Sequence, residues 1–73
     1  MDPQETKAVI DIAGGDSAFG RLLGIDGIDG FQQRVNNWRR RGLPSAVVVE
    51  HYDLIQKLRA DVLAFEHSRV RVG

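Results

Sequence analysis

The sequence contains no cysteine, only two prolines, and one tryptophan and one tyrosine among its 73 residues. Without cysteine neither a disulfide nor a thiolate metal site can form, and this composition fits a reducing cytoplasm. No apolar run reaches the roughly 18 residues that a membrane-spanning helix needs, and the polar start MDPQETK is unlike a secretion signal. These absences predict a single small domain that depends on its hydrophobic core for stability.

A net charge is also absent, because ten basic residues balance ten acidic ones. The charges are nevertheless segregated along the chain. Residues 1–29 carry six acidic and two basic side chains, residues 30–49 carry four arginines and no acid, and residues 50–73 are balanced. Proteins that neutralise many phosphates are usually basic overall. The balance therefore argues against a purely nucleic-acid-binding chain without excluding one.

Apolar residues recur at helical spacing in segments that glycine or proline separates. The first three helices are predicted over residues 4–13, 17–23 and 30–41, and Asp16 is a suitable N-cap for the second. Ser45 is a suitable N-cap for a fourth helix, in which EHYDLIQKLRADVLAF continues the helical period. The sequence therefore predicts an all-α domain of four to five small helices.

Two parts of the C-terminal region allow another interpretation. The valines of AVVVEHY also favour a strand, but the helical period that follows them makes a helix the preferred prediction. Residues 66–73, EHSRVRVG, show no strong period and are expected to form a frayed or disordered tail, with RVRV as an alternative short strand. The folded domain is accordingly predicted over residues 1–65.

A tandem repeat, GIDGIDG at residues 24–30, separates the second and third predicted helices. Its glycines and aspartates favour turns over regular structure. The segment is either a spacer or a docking loop, and in the second case Asp26 and Asp29 are the candidate contacts. It does not have the alternating ligand spacing of a calcium-binding EF-hand loop.

The third predicted helix carries the candidate contact residues for a partner. Its apolar stripe consists of Phe31, Val35 and Trp38, and an aromatic residue at this spacing is expected in the core rather than at a contact. On the opposite face, arginine and carboxamide side chains are able to recognise guanine and adenine edges, phosphates or an acidic protein surface. The arginine run is also explained as a solvated helix end that complements the helix dipole. The candidates are Gln32, Gln33, Arg34, Asn36, Asn37, Arg39, Arg40 and Arg41.

Two segments carry a family resemblance. AFGRLLGI at Ala18–Ile25 and RVNNWRRRGLP at Arg34–Pro44 resemble the helix-turn-helix segments of Cro-like and YdaS-like phage repressors. The resemblance implies a helix-turn-helix, here with an enlarged turn, and recognition of operator DNA through residues 31–41. It also implies that Gly20 lets the two helices approach, and that the core between them is formed by Phe19, Leu23, Val35 and Trp38.

In length, charge and acidic loop the chain also resembles small transcription regulators of lytic Xanthomonas phages that bind the host RNA polymerase. This resemblance implies contact with the β′ and β subunits, inhibition of sigma-dependent initiation, read-through of terminators, and a location in the cytoplasm of the bacterial host. Carboxylates at the start of a recognition helix repel approaching phosphates, which makes polymerase the preferred partner. Operator DNA is the alternative, and a structural adaptor or antitoxin-like module is a third hypothesis.

No catalytic constellation is evident in the sequence. His51 and His67 lack the spacing of a metal site, and GGDSAFG lacks the Gly-Lys-Ser/Thr of a phosphate-binding loop. The serines are better explained as helix caps or tail residues than as nucleophiles. We therefore expect a binding protein rather than an enzyme, with no cofactor, metal, membrane or small-molecule substrate.

Overall fold

The computed structural model describes residues 1–70 of the chain, and the side chains of residues 1–68. It confirms the all-α prediction, since the described residues form five helices and no strand. No helix among them is long and apolar enough to cross a membrane. The helices are α1 Pro3–Ala13, α2 Asp16–Leu23, α3 Phe31–Arg41, α4 Ser45–Glu50 and α5 Tyr52–Val70.

The helix starts differ from the predicted caps at two places. α1 begins as its sequence suggests, because the carboxylate of Asp2 accepts a hydrogen bond from the Glu5 amide at 2.8 Å. Asp16, however, is the first residue of α2 and not its cap, and the cap position belongs to Gly15. Ser45 is likewise the first residue of α4, with Pro44 at the cap position. The Asp16 carboxylate is instead used in an ion pair with α3.

The predicted long fourth helix is divided in two at His51, whose φ and ψ are −115° and 39°. The backbone path is nearly continuous, because the Ile55 amide donates to the His51 carbonyl oxygen at 2.9 Å. α4 contains the three valines, so the alternative strand is excluded. Branching at Cβ restricts the valine side chains in a helix, which is consistent with α4 ending after six residues.

α5 extends further than the sequence indicates. The helix runs through Val70, so residues 66–70 continue α5 where the sequence predicts a frayed or disordered tail. Once a helix is nucleated, each further residue adds a hydrogen bond at small cost, and a weak apolar period does not stop it. The predicted RVRV strand is wrong for Arg69 and Val70, and residues 71–73 lie outside the described part of the chain.

α1 lies at the centre of the helix packing. It contacts α2, α3 and α5, whereas α4 packs only against α5. The side chains that form the core come from every helix except α4, together with the segment that follows α3. They are Val9, Ile10, Phe19, Leu23, Val35, Leu43, Ile55 and Leu58.

The N-terminus is held against the segment that leaves α3. The Leu43 amide donates to the hydroxyl oxygen of the fully buried Thr6 at 3.0 Å. The N-terminal ammonium of Met1 donates to the Leu43 carbonyl oxygen at 3.2 Å. Gly42 makes this approach possible, because a Cβ there would overlap the Met1 carbonyl oxygen and its φ is +96°. This contact fixes the C-terminal end of α3 against the start of α1.

Gly42→Ala is therefore expected to lower the free energy of unfolding by about 2 kcal/mol or more, since it adds backbone strain to a steric overlap. Gly27→Ala is the matched control, because a Cβ at Gly27 has no neighbour within 4 Å and its φ is not positive. The control should stay within about 0.5 kcal/mol of the wild type in urea denaturation. Equal stability of the two variants would contradict the contact with Met1.

Candidate partner-binding surface

α3 has an apolar face toward the core and a polar face toward solvent, as its sequence predicts. Val35 is fully buried, and Phe31 and Trp38 are partly buried against the core. The polar residues proposed as contacts lie on the outside of the helix. Those that are exposed are Gln32, Gln33, Arg34, Asn36, Asn37, Arg40 and Arg41.

Aromatic contacts hold α3 against α2. The rings of Phe19 and Trp38 meet edge to face, with centroids 6.4 Å apart and planes at 88°. This geometry is favourable for aromatic pairs, and it confirms that Trp38 packs with the core. Gly20 faces the ring of Phe31 so closely that any Cβ there would displace the ring. The prediction that Gly20 allows the close approach of α2 and α3 is thus confirmed.

Arg39 joins three helices and differs from the other arginines of α3. Its Nε donates to Oδ1 of Asp16 at 2.6 Å, and its Nη2 donates to Oδ1 of Asp11 at 2.7 Å. Only 22% of its side chain is exposed. The hydrogen bond that Arg39 donates to Asp16 raises the pKa of the guanidinium above its ordinary value; partial burial opposes this rise, and the hydrogen bond to Asp11 adds to it. Arg39 was predicted to contact a partner, but two of its donor groups are bonded to Asp11 and Asp16 inside the protein.

Three more of the predicted contact residues, Gln32, Asn37 and Arg40, take part in hydrogen bonds on the surface. Arg40 donates from Nη2 to Oδ1 of Asn37 at 2.7 Å, one turn earlier on the same helix. Gln32 donates from Nε2 to the hydroxyl oxygen of Ser17 on α2 at 3.1 Å. These bonds are exposed, so a partner could exchange them at little cost. The exposed candidates with no side-chain hydrogen bond or ion pair within residues 1–68 are Gln33, Arg34, Asn36 and Arg41.

Both units of the tandem repeat before α3 close a turn with the same backbone hydrogen bond, although φ is positive at Gly30 and not at Gly27. The Ile28 amide donates to the Ile25 carbonyl oxygen at 3.0 Å, and the Phe31 amide donates to the Ile28 carbonyl oxygen at 3.1 Å. Each Ile-Asp-Gly unit thus forms one hydrogen-bonded turn. Gly30, with φ 78° and ψ 13°, occupies the position of a type II turn that requires positive φ. The segment is a defined double turn that leads directly into α3.

The double turn presents its two carboxylates to solvent. Asp26 and Asp29 are exposed, and neither forms an ion pair within residues 1–68. Asp29 stands two residues before the first residue of α3, so negative charge lies at the start of the helix. The arginines Arg40 and Arg41 lie in its last turn. The candidate surface is therefore acidic at one end and basic at the other.

Among the described residues, no three histidine, aspartate or glutamate side chains come together as metal ligands. No protein-family model, no curated protein and no solved structure matches this chain. The surface of α3 must accordingly be interpreted from its own charges and hydrogen bonds.

Arg39→Ala is expected to lower the free energy of unfolding by about 1–2 kcal/mol, because it removes two charge-assisted hydrogen bonds, one partly buried and one exposed. Arg40→Ala removes a neighbouring arginine with one exposed bond inside the same helix and should cost at most about 0.5 kcal/mol. Urea denaturation of the two variants measures the difference. A loss at Arg40 as large as that at Arg39 would mean that the bonds to Asp11 and Asp16 do not stabilise the packing of α3.

Proposed function

We propose that this chain is a transcription regulator without catalytic activity that binds bacterial host RNA polymerase through the outer face of α3 and the double turn. The observation that carries the proposal is the mixed charge of this surface, with exposed arginines along the helix and, at one end, Asp26 and Asp29, which form no ion pair within residues 1–68. The likeness to polymerase-binding phage regulators supplies the partner, the β′ and β subunits. It also supplies the outcome, which is inhibition of sigma-dependent initiation and read-through of terminators in the host cytoplasm.

The mixed charge favours a protein partner over DNA for an electrostatic reason. In a helix-turn-helix protein the N-terminal residues of the recognition helix contact base edges between two phosphate backbones. At the corresponding end of α3 the exposed carboxylates of Asp26 and Asp29 would meet those phosphates and repel them. A protein surface offers charges of both signs and matches an acidic and a basic end together.

Operator DNA remains the second candidate, and one observation favours it. Arg34, Asn36 and Asn37 lie exposed on α3, and they are of the types that make paired hydrogen bonds to guanine or adenine. Under this hypothesis α2 and α3 are the two helices of a helix-turn-helix with an enlarged turn. Such a protein is expected to bind as a dimer to half-sites one DNA turn apart and to lose affinity steeply with salt.

Mixing the purified protein with bacterial RNA polymerase in the absence of DNA, followed by size-exclusion chromatography, separates the two hypotheses. The polymerase proposal expects the protein to elute with the enzyme. A protein that stays free of polymerase and shifts a specific DNA fragment would contradict the proposal and support the repressor.

Arg34→Glu is expected to weaken polymerase binding at least about 100-fold, because an interfacial charge is reversed, and such losses reach 2–5 kcal/mol or more. Arg34 is exposed, so the fold should be unchanged by circular dichroism. Lys57→Glu is the matched control, since it makes the same charge change on α5, which does not contact α3. Fluorescence anisotropy with labelled protein gives both affinities. An unchanged affinity for Arg34→Glu would remove this residue from the site.

The double variant Asp26→Asn, Asp29→Asn tests the role of the double turn. Asparagine has the same shape and also favours turns, so the backbone should be preserved while two charges are lost. The polymerase proposal expects weaker binding to polymerase, by about tenfold. If the variant instead gains affinity for DNA and keeps its affinity for polymerase, the carboxylates act only against DNA and do not contact the enzyme.

A further inference from the structure

A second candidate surface lies away from α3. A groove of about 620 Å³ runs between the start of α1 and the C-terminal part of α5. No residue that lines it belongs to α2, α3 or the double turn. Its walls span residues 2–9 and 59–66, which is about two helical turns, or roughly 10 Å, on each side.

The inner surface of the groove mixes polar and apolar side chains, and its apolar part comes from α1 and α5. Val9 at its base is fully buried, Val62 is partly buried against the core, and Leu63 stands 67% exposed at the edge. Covering a leucine that is exposed to this degree beside an apolar patch is favourable, by about 25 cal/mol for each square ångström of apolar surface removed from water. The groove therefore offers an apolar site for side chains of a partner.

The rim of the groove is acidic. Arg59 and Glu5 form an ion pair across it, with Nε and Oε1 2.6 Å apart, and largely cancel each other. Asp2 and Glu66 remain on the rim without an ion pair within residues 1–68. An apolar patch beside acidic side chains is complementary to a segment that carries apolar and basic side chains together.

We propose that this groove binds a basic amphipathic helix of a partner protein, with apolar side chains at every third or fourth position and lysine or arginine beside them. Two turns of such a helix match the length of the groove, and helix-in-groove binding uses this spacing of anchors. A second copy of this chain is disfavoured, because a symmetric dimer places the same patch on itself and would bring two acidic rims together.

The probe for this site is a synthetic peptide of leucine and lysine in a helical repeat, and the same peptide with glutamate for lysine is its control. We expect saturable binding of the lysine peptide to the full chain at near-physiological salt, and none of the glutamate peptide. Amide chemical shifts should change along residues 2–9 and 59–66. Equal binding of both peptides, or shift changes confined to α3, would overturn the proposal.

Charge reversal on α5 locates the binding more sharply. Glu66→Lys should lower the affinity for the lysine peptide at least about tenfold, and Leu63→Ser should lower it at least about fivefold. Asp61→Lys makes the same charge change on the same helix but outside the groove, and it should stay within about twofold of the wild type. A loss for Asp61→Lys equal to that for Glu66→Lys would mean that only the overall charge attracts the peptide. Arg34→Glu should bind the peptide with the same affinity as the wild type. The peptide experiment therefore tests the groove whether or not the protein binds polymerase through α3.

Discussion

The position of α3 depends on one arginine side chain that links three helices. Arg39, in the last turn of α3, hydrogen-bonds Asp11 near the end of α1 and Asp16 at the start of α2. Both carboxylates belong to the acidic first part of the chain, so part of the segregated charge is neutralised inside the folded protein. Arg39 is thereby withdrawn from the surface, and Arg34, Arg40 and Arg41 remain on it. The outward face of α3 keeps its basic character only because these three have no such partners on α1 or α2.

The features that follow from local periodicity could be predicted from the sequence. The spacing of Val35 and Trp38 gave the inward face of α3, and a glycine at position 20 fits the close approach that Phe31 makes. Helix ends at Gly14, Gly24 and Gly42 follow from the positive φ that each adopts. All of these depend on a residue and its neighbours within a few turns, and for that reason a single sequence contains the information.

What could not be predicted depends on distant parts of the chain. Asp16 suits a helix cap, and only the approach of α3 makes it a partner of Arg39, 23 residues away. For the candidate site, helical periodicity predicts which residues are exposed, but it does not predict which of them are already hydrogen-bonded. The repeat in residues 24–30 shows the same limit. Its glycines predicted turns, whereas the hydrogen bonds that make each Ile-Asp-Gly unit one turn became evident only with α2 and α3 in place.

The neutral overall charge takes on a different meaning once the charges are placed on the fold. The molecule measures 45 × 20 × 20 Å, and its uncompensated charges lie on separate elements: arginines on α3, and carboxylates on the double turn and on the rim between α1 and α5. α3 is about 16 Å long, longer than the screening length of about 8 Å at physiological salt, so the negative charge at its start and the positive charge of Arg40 and Arg41 in its last turn do not cancel. A neutral chain can therefore present a basic and an acidic surface at once.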